Sequence, residues 1–294
     1  MLRVLTFNVR YGEAADGLND WSHRRRFALD TIRGHDPDLV GLQEPNPGQC
    51  AEVTAALQDG WEGLHGIRLD PRSPEAYAKG LWYRRTRFDL DAHGVFWISE
   101  TPDEPGSILQ PNQWGERTGG WARLRDRRDG RSLCFVCTHF DTHPGCSLRS
   151  AEIFAREIER VARGLPVIAV GDYNNPAGTP AYQHLAGPAG YRDAWVEAGH
   201  TEDGIITFNG FDPRPRQPAD PTALRSYLET KHGPDGFGPH HVEEYGRLRN
   251  ERLDWVLLKG GLRCTDANTD TTLRDGRVAS DHFAVVADLE WSGR

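Results

Sequence analysis

PVIAVGDYNN, residues 166–175, reads as a buried strand that ends in a polar pair. Its apolar, β-branched run stops at Gly171, and Asp172 and Asn174 follow, one residue between them. Side chains alternate along an extended chain, so these two are expected on one face, off the end of a core strand. Strand ends held by a rigid sheet are where α/β proteins place polar groups accurately. A carboxylate beside a carboxamide suits the positioning of an attacking water and a charged phosphate. Asp and Asn also serve in ordinary loops, where they satisfy backbone groups. The rest of the chain has to discriminate between the two readings.

Strand-like runs recur outward from this stretch, at Leu2–Val9, Asp38–Gln43, Gly80–Tyr83, Gly94–Ile98, Gly120–Leu124, Leu133–Phe140, Leu253–Leu258 and His282–Leu289. Helical periodicity is read at His23–Arg33, Ala51–Leu57, Leu148–Ala162 and Thr222–Thr230. In the third of these, Ile153, Phe154, Ile158 and Val161 keep one apolar face, and Ser147 stands where an N-cap is expected. No repeat and no Gly/Ser linker divides the chain, which predicts a single domain over 1–294. The stretch Asp212–Arg249, rich in Pro, Gly, Asp and His, interrupts the rhythm as a long insertion over 212–249. Its place in the order suggests a lid or interface arm over the Asp172 end.

With 294 residues, 37% hydrophobic and 27% charged, the composition is that of a globular protein. The formal net charge of −8 gives no global attraction for nucleic acid or an anionic membrane. Arg24, Arg25 and Arg26 form the tightest basic run and are expected on a solvated helix face. The chain opens MLRVLTFNVR, straight into an alternating strand, without the order of a secretion signal. No apolar run reaches the roughly 18 residues of a membrane span. A cytoplasmic location with no membrane partner is the resulting expectation. Cys134 and Cys137 form a C-x-x-C inside a strand, where residues three apart face opposite sides; buried small hydrophobes are expected instead of a metal or disulfide pair.

Polar residues sit at the ends of six apolar runs. Asn8 closes the first strand and Glu44 follows the second. His139 and Asp141 end another, and Asp172 and Asn174 the next. Asp254 opens a strand, and Asp281 and His282 open the last. Singly, each has an ordinary explanation as a turn former or rim residue. Together they suit a hard cation, Mg²⁺ or Mn²⁺, with Glu44 as the leading ligand and Asn8 and Asp281 beside it. Zinc is disfavoured because no compact His/Cys spacing exists. His139 and His282 are candidates to stabilise charge on a transferring phosphoryl group or to act as acid and base. Asp254 would fix one imidazole's tautomer, and Asp172 would orient or deprotonate the water.

The ordered string Asn8, Glu44, His139, Asp172-x-Asn174, Asp254 and Asp281-His282 resembles the endonuclease/exonuclease/phosphatase superfamily over nearly the whole chain. TFNVRYG, DGLNDW and FWISETPDEPG are similar to a bacterial branch of metal-dependent hydrolases. The resemblance implies an α/β four-layer sandwich, two mainly antiparallel β-sheets packed face to face and flanked by helices. It also implies in-line attack on phosphorus by a water that the metal and Asp172 activate, assisted by His282 paired with Asp254. Several relatives carry a glutamate before the strand at Gly80 that supports the first histidine. Here Tyr77 stands near that place and Glu75 two residues earlier, so the supporting residue is open.

Three functions compete. A Mg²⁺/Mn²⁺-dependent phosphoesterase on a small phosphorylated or phosphodiester-linked molecule, a sugar ester among the candidates, leads because the chain is acidic and has no basic arm. A nuclease of the same superfamily comes second, and a non-catalytic binding protein on the same fold third. Trp21 and Trp114 lie in polar surroundings, where an aromatic could stack on a sugar or base, while core packing is the default for most of the nine tryptophans. His143 would widen the polar rim; His240 and His241 are read as solvated loop residues. Oligomeric state is not legible.

Overall fold

The computed structural model describes residues 1–57, 60–64, 68–70, 73–77, 80–203, 205–212, 248 and 251–293, with 68–70 and 73–77 in backbone alone. Alternating LRVLTFN forms β1 (Leu2–Asn8), and the apolar LVGLQ forms β2 (Leu39–Gln43) parallel to it. Antiparallel strands extend this pair on both sides. Beyond β1 lie β14 (Ala284–Trp291) and β13 (Leu262–Asp270); beyond β2 lie β6 (Gly80–Arg84) and β3 (Trp61–Gly63). The second six-stranded sheet follows the same plan. Its parallel pair is β9 (Ser132–His139) and β10 (Val167–Asp172). Antiparallel β8 (Thr118–Asp126) and β7 (Phe88–Trp97) flank it on one side, and β12 (Asp254–Lys259) and β11 (Arg192–Asp193) on the other. A separate two-stranded piece pairs β4 (Arg68–Asp70) with β5 (Ser73–Tyr77).

The two sheets pack face to face. Val4, Leu39 and Leu81 from the first meet Phe135, Ile168, Val170 and Val256 from the second in one apolar cluster. Close approach needs Gly41: a Cβ there would lie 2.4 Å from Val170 Cγ2. On the outer face of the first sheet, α1 (Trp21–Gly34) and α2 (Pro47–Leu57) bury Phe27, Ile32 and Val53 against Phe7, Leu42 and Val286. On the outer face of the second, α3 (Ser147–Ala162) and α4 (Pro180–Ala186) bury Ile153, Phe154, Ile158 and Leu185 against Val136, Ala169 and Leu257. A short α5 (Ala194–Glu197) follows β11. The architecture is the expected four-layer sandwich. Burying two faces per sheet explains why β2, β9 and β10 read as nearly continuous apolar runs.

Several local readings are corrected. Arg24 is buried, not solvated: its guanidinium donates to the carbonyls of Asn19, Val9, Arg10 and Ala279 at 2.8, 2.6, 3.1 and 3.2 Å. Only Arg25 and Arg26 face water. Trp21 is buried beneath it, with the guanidinium carbon 5.0 Å from its ring centre. Ser147 is the first residue of α3, and its Oγ donates to Asn175 Oδ1 at 2.5 Å instead of capping the helix. Strand β13, with its exposed and charged alternate positions, had no apolar run to mark it. Cys134 and Cys137 do point into opposite layers, one to the helix side and the other between the sheets. The helix read at Thr222–Thr230, His240, His241 and nearly all of the 212–249 insertion lie outside the described residues, as do the side chains of Glu75 and Tyr77. Among the described residues, no helix is long and apolar enough to cross a membrane.

Candidate active site

The topology gathers the polar strand ends. In each sheet the parallel pair ends at the same rim, with Asn8 in register with Gln43 and His139 in register with Asp172. Antiparallel β12 starts there, Asp254 opposite Asp172. His282, just before β14, reaches the rim through a bridge to Phe208. All eight predicted residues fall in this region, and most are nearly inaccessible: Asp254 and Asn8 at 0%, Asp172 at 1% and Asp281 at 4%.

Two hydrogen-bonded groups meet at Asp172. On one side, Asn8 Nδ2 donates to Asp172 Oδ2 at 3.0 Å and to Glu44 Oε1 at 3.1 Å. Tyr11 N–H donates to the other Glu44 oxygen at 3.0 Å. On the other side, His282 Nδ1 lies 2.8 Å from Asp254 Oδ2, and its Nε2 lies 3.5 Å from Asp172 Oδ2. His139 Nε2 approaches the same oxygen at 3.3 Å. Thr207 Oγ1 accepts from the N–H groups of Leu253 and Asp254 at 2.8 and 3.1 Å, fixing the start of β12. Phe208 packs on the His282 ring, 4.8 Å between centres.

Asp172 is held by the core next to it. Tyr173, fully buried, stacks on Trp255 at 4.5 Å and meets Phe140 edge-on at 5.0 Å. Gly171 is required by the neighbouring strand, since a Cβ there would lie 2.3 Å from the Thr138 carbonyl. The simple alternation expected through Asn174 is broken, because β10 ends at Asp172 and Asn174 is left-handed, φ 50°. Its N–H turns back to Asp172 Oδ1 at 2.9 Å, and its Nδ2 donates to the Phe140 carbonyl at 2.9 Å. Arg10 and Glu44 are left-handed too, φ 58° and 63°. Backbone strain of this kind costs about 1–3 kcal/mol per residue and persists where the surroundings enforce it, commonly at working sites.

Electrostatics divide the acids. Burial, reinforced by Asp254, drives the Asp172 carboxyl above the ordinary range against the pull of His282. Burial would neutralise His282, but Asp254, Asp172 and Asp281 outweigh it and favour the imidazolium. Burial would likewise raise Glu44, yet Arg10, the Asn8 amide and the Tyr11 N–H hold it ionised. In the Asp172–His282–Asp254 arrangement an imidazole favoured in its charged form thus has an acid on either side.

Arg10 escaped sequence reading although it sits two residues after Asn8 in TFNVR. Its guanidinium lies 3.8 Å from Glu44, 3.7 Å from Asp281 and 2.9 Å from Asp16. Glu44 and Asp281, two of the three expected metal ligands, therefore face the same guanidinium. Asn8 is placed differently from expectation: its Nδ2 faces the carboxylates, and its Oδ1 accepts from Arg10 N–H at 3.0 Å. Among the described residues, the acidic and histidine group whose ligand atoms lie closest together is Asp172, Asp254 and His282, within 4.8 Å of one another. Both ring nitrogens of His282 already face carboxylates, so ion binding there would displace those pairs. Glu44 and Asp281 offer carboxylate oxygens, the donor type that hard divalent ions take. Arg24, through the Val9, Arg10 and Ala279 carbonyls, ties the loops carrying Arg10 and Asp281 together. A cavity of about 510 Å³ lined by Glu62, Tyr83, Arg85 and Phe88 lies at the opposite strand ends, away from these groups.

The chain belongs to the endonuclease/exonuclease/phosphatase family, whose model matches residues 5–282. Members of this family are hydrolases of phosphate esters and are generally dependent on divalent metal. A mannosyl-6-phosphatase of Bacteroides thetaiotaomicron shares the fold with a TM-score of 0.78 at 23% identity, over 99% of this chain and 100% of that one. Danio rerio TDP2, solved with a single-strand DNA product, aligns with a TM-score of 0.66 at 18% identity over 98% of each chain. Nocturnin of Drosophila melanogaster is 23% identical over 209 residues, 63% of this chain and 30% of that protein. The chain spans less than a third of the length of the curated relatives it matches.

Proposed function

We propose that this protein is a divalent-metal-dependent phosphoesterase that hydrolyses a phosphate ester or phosphodiester of a small, sugar-containing molecule. The observation that carries the reading is His282 set between Asp254 and Asp172, with Asn8 linking Asp172 to Glu44. Glu44 and Asp281 would hold Mg²⁺ or Mn²⁺, with Asn8 bracing Glu44, and the ion would supply charge neutralisation at the phosphate oxygens. Asp172, whose carboxyl is raised toward neutrality by burial, takes a proton from water as that water attacks phosphorus. Asn174 fixes Asp172 through its own N–H and so sets the direction of attack. His282, kept as the imidazolium by Asp254, donates to the phosphoryl oxygens as negative charge develops. His139 borders the same oxygen of Asp172 and adds a second donor at the rim.

The test is an activity screen with Mg²⁺ or Mn²⁺ across phosphate monoesters, diesters and oligonucleotides, with Asp172→Asn as control. Turnover of a small ester that falls by about 10²–10⁴ in the variant supports the reading. Equal turnover in both proteins defeats it. The nuclease reading rests on likeness to a protein solved with a DNA product. It predicts cleavage of oligonucleotides at low salt with Mn²⁺, against the −8 net charge of this chain.

A further inference from the structure

Arg10 brings a positive charge to the candidate ion ligands, and both its backbone and its side chain are held. Its N–H donates to Asn8 Oδ1 at 3.0 Å. Its carbonyl accepts from Arg24 Nη2 at 3.1 Å and from Gln49 Nε2 at 2.9 Å. The side chain is gripped at its far end, where Nε and Nη2 donate to the two carboxylate oxygens of Asp16 at 2.9 and 3.2 Å. Asp16 is itself braced, its N–H donating to Asp20 Oδ1 at 2.7 Å. A guanidinium clasped in this two-bond geometry has little freedom to swing away. Held so, Nη1 lies 3.8 Å from Glu44 Oε2 and Nε lies 3.7 Å from Asp281 Oδ2. Both separations exceed hydrogen-bond length, so Arg10 acts on these two acids through its charge. The acids keep room for an ion. Each Glu44 oxygen accepts one N–H, from Asn8 or Tyr11, and Asp281 Oδ1 accepts from Ser280 Oγ at 3.2 Å. A carboxylate oxygen has two lone-pair sites, which leaves one on each for coordination.

We infer that Arg10 is a positioning residue, a fixed counter-charge that sets how tightly Glu44 and Asp281 hold a divalent ion. The inference deepens the metal-dependent phosphoesterase reading and rests on it. A guanidinium stays charged at any working pH. Any ion that binds the two carboxylates therefore shares them with a positive group that cannot leave. Even in bulk water, a unit charge about 4 Å away alters a cation's affinity several-fold. The Arg10 side chain is only 22% exposed, so water screens it less than that. Arg24 braces the loops behind, its guanidinium committed to backbone carbonyls, while Arg10 faces the acids. Arg10 thus keeps Glu44, Asp281 and Asp16 from repelling one another before the ion arrives, and it weakens the hold on the ion afterwards. A purely structural arginine predicts the opposite sign, because loosened ligands bind an ion less well.

The test is titration calorimetry with Mn²⁺ alone, at low salt, on wild type, Arg10→Gln and Arg10→Lys, with melting temperature in EDTA as the check on folding. Arg10→Gln should bind Mn²⁺ about tenfold more tightly than wild type. Arg10→Lys, which keeps the charge, should stay within about threefold of wild type. Unchanged or weaker binding by Arg10→Gln would overturn the inference in favour of a structural role. The two readings fail separately: Mn²⁺ binding that the substitution leaves unaltered removes the inference alone, whereas no binding by either protein removes the metal site and the inference with it. Should Arg10→Gln not fold, NMR of isotope-labelled arginine side chains in the wild type decides. The Arg10 Nε–H resonance, assigned by its loss in Arg10→Lys, should shift as Mg²⁺ binds, and an unmoved resonance at saturating Mg²⁺ would overturn the inference.

Discussion

Asp254→Asn isolates the charge that holds His282. Asp254 has no exposed surface, and its Oδ2 lies 2.8 Å from His282 Nδ1. An asparagine of nearly the same shape can keep a hydrogen bond there but not the ion pair. A bond to a charged group contributes about 1.5–3 kcal/mol and a neutral one about 0.5–1.5 kcal/mol, so about 1–2 kcal/mol of support for the imidazolium is lost. That is roughly one pKa unit downward for His282. Wild-type His282 is held charged above the ordinary histidine range. A group with a raised folded pKa lends stability that is full below its unfolded pKa and is lost as pH rises through the folded one. In the variant, this loss should begin at lower pH. Because Asp254 also raises Asp172, the substitution relieves one acid while it weakens the cation. Catalysis should suffer more than folding, with kcat down by about 10²–10⁴, as when an orienting carboxylate becomes an amide. The assays are steady-state hydrolysis across pH 5–10 and NMR titration of the His282 ring with chemical denaturation in parallel. A kcat within threefold of wild type and an unmoved His282 titration would refute the reasoning.

Glu44→Gln removes one of two carboxylates expected to hold the ion, and a Mg²⁺ or Mn²⁺ titration of activity should shift at least about tenfold to higher concentration; an identical titration would show that Glu44 is no ligand. Asp270 ties β13 to the end of α1 through His35 Nε2 at 2.8 Å, and that bond, with Thr272, depresses its pKa against burial. A depressed acid stabilises the fold above its unfolded pKa and loses that effect as pH falls through the folded one. Asp270→Asn should therefore lower stability near neutral pH by about 1 kcal/mol after allowance for solvent screening, with the difference vanishing in strong acid. Urea melts at pH 7 and pH 2 would check it, and a constant difference would contradict it.

Most of the site was legible because strand ends are local features. An apolar run followed by Asn8, Glu44, His139 or Asp172 can be read from a few consecutive residues, and the register of the sheets then brings those ends together. Arg10 was passed over because its neighbours form a strand, not a charge cluster, and its carboxylate partners Glu44 and Asp281 lie far along the chain. Arg24 was misread for a related reason. The RRR run looks solvated, but helix geometry turns one of the three inward, where its burial is tolerated because backbone carbonyls accept each guanidinium bond. Ser147 and Trp21 show that capping and exposure depend on neighbours that local periodicity does not reveal.

The amino-acid order alone marks the central strands, the helices α1, α2 and α3 and the residue types at the rim, because hydrophobic period and strand-end chemistry are properties of short windows. Only tertiary structure joins Asn8 to Asp172 across 164 positions and sets His282 between two acids. Those outcomes depend on sheet register and on which side chains exclude water together. The shifted proton affinities follow from the same burial, since desolvation and paired charge act only once distant groups share one enclosed space.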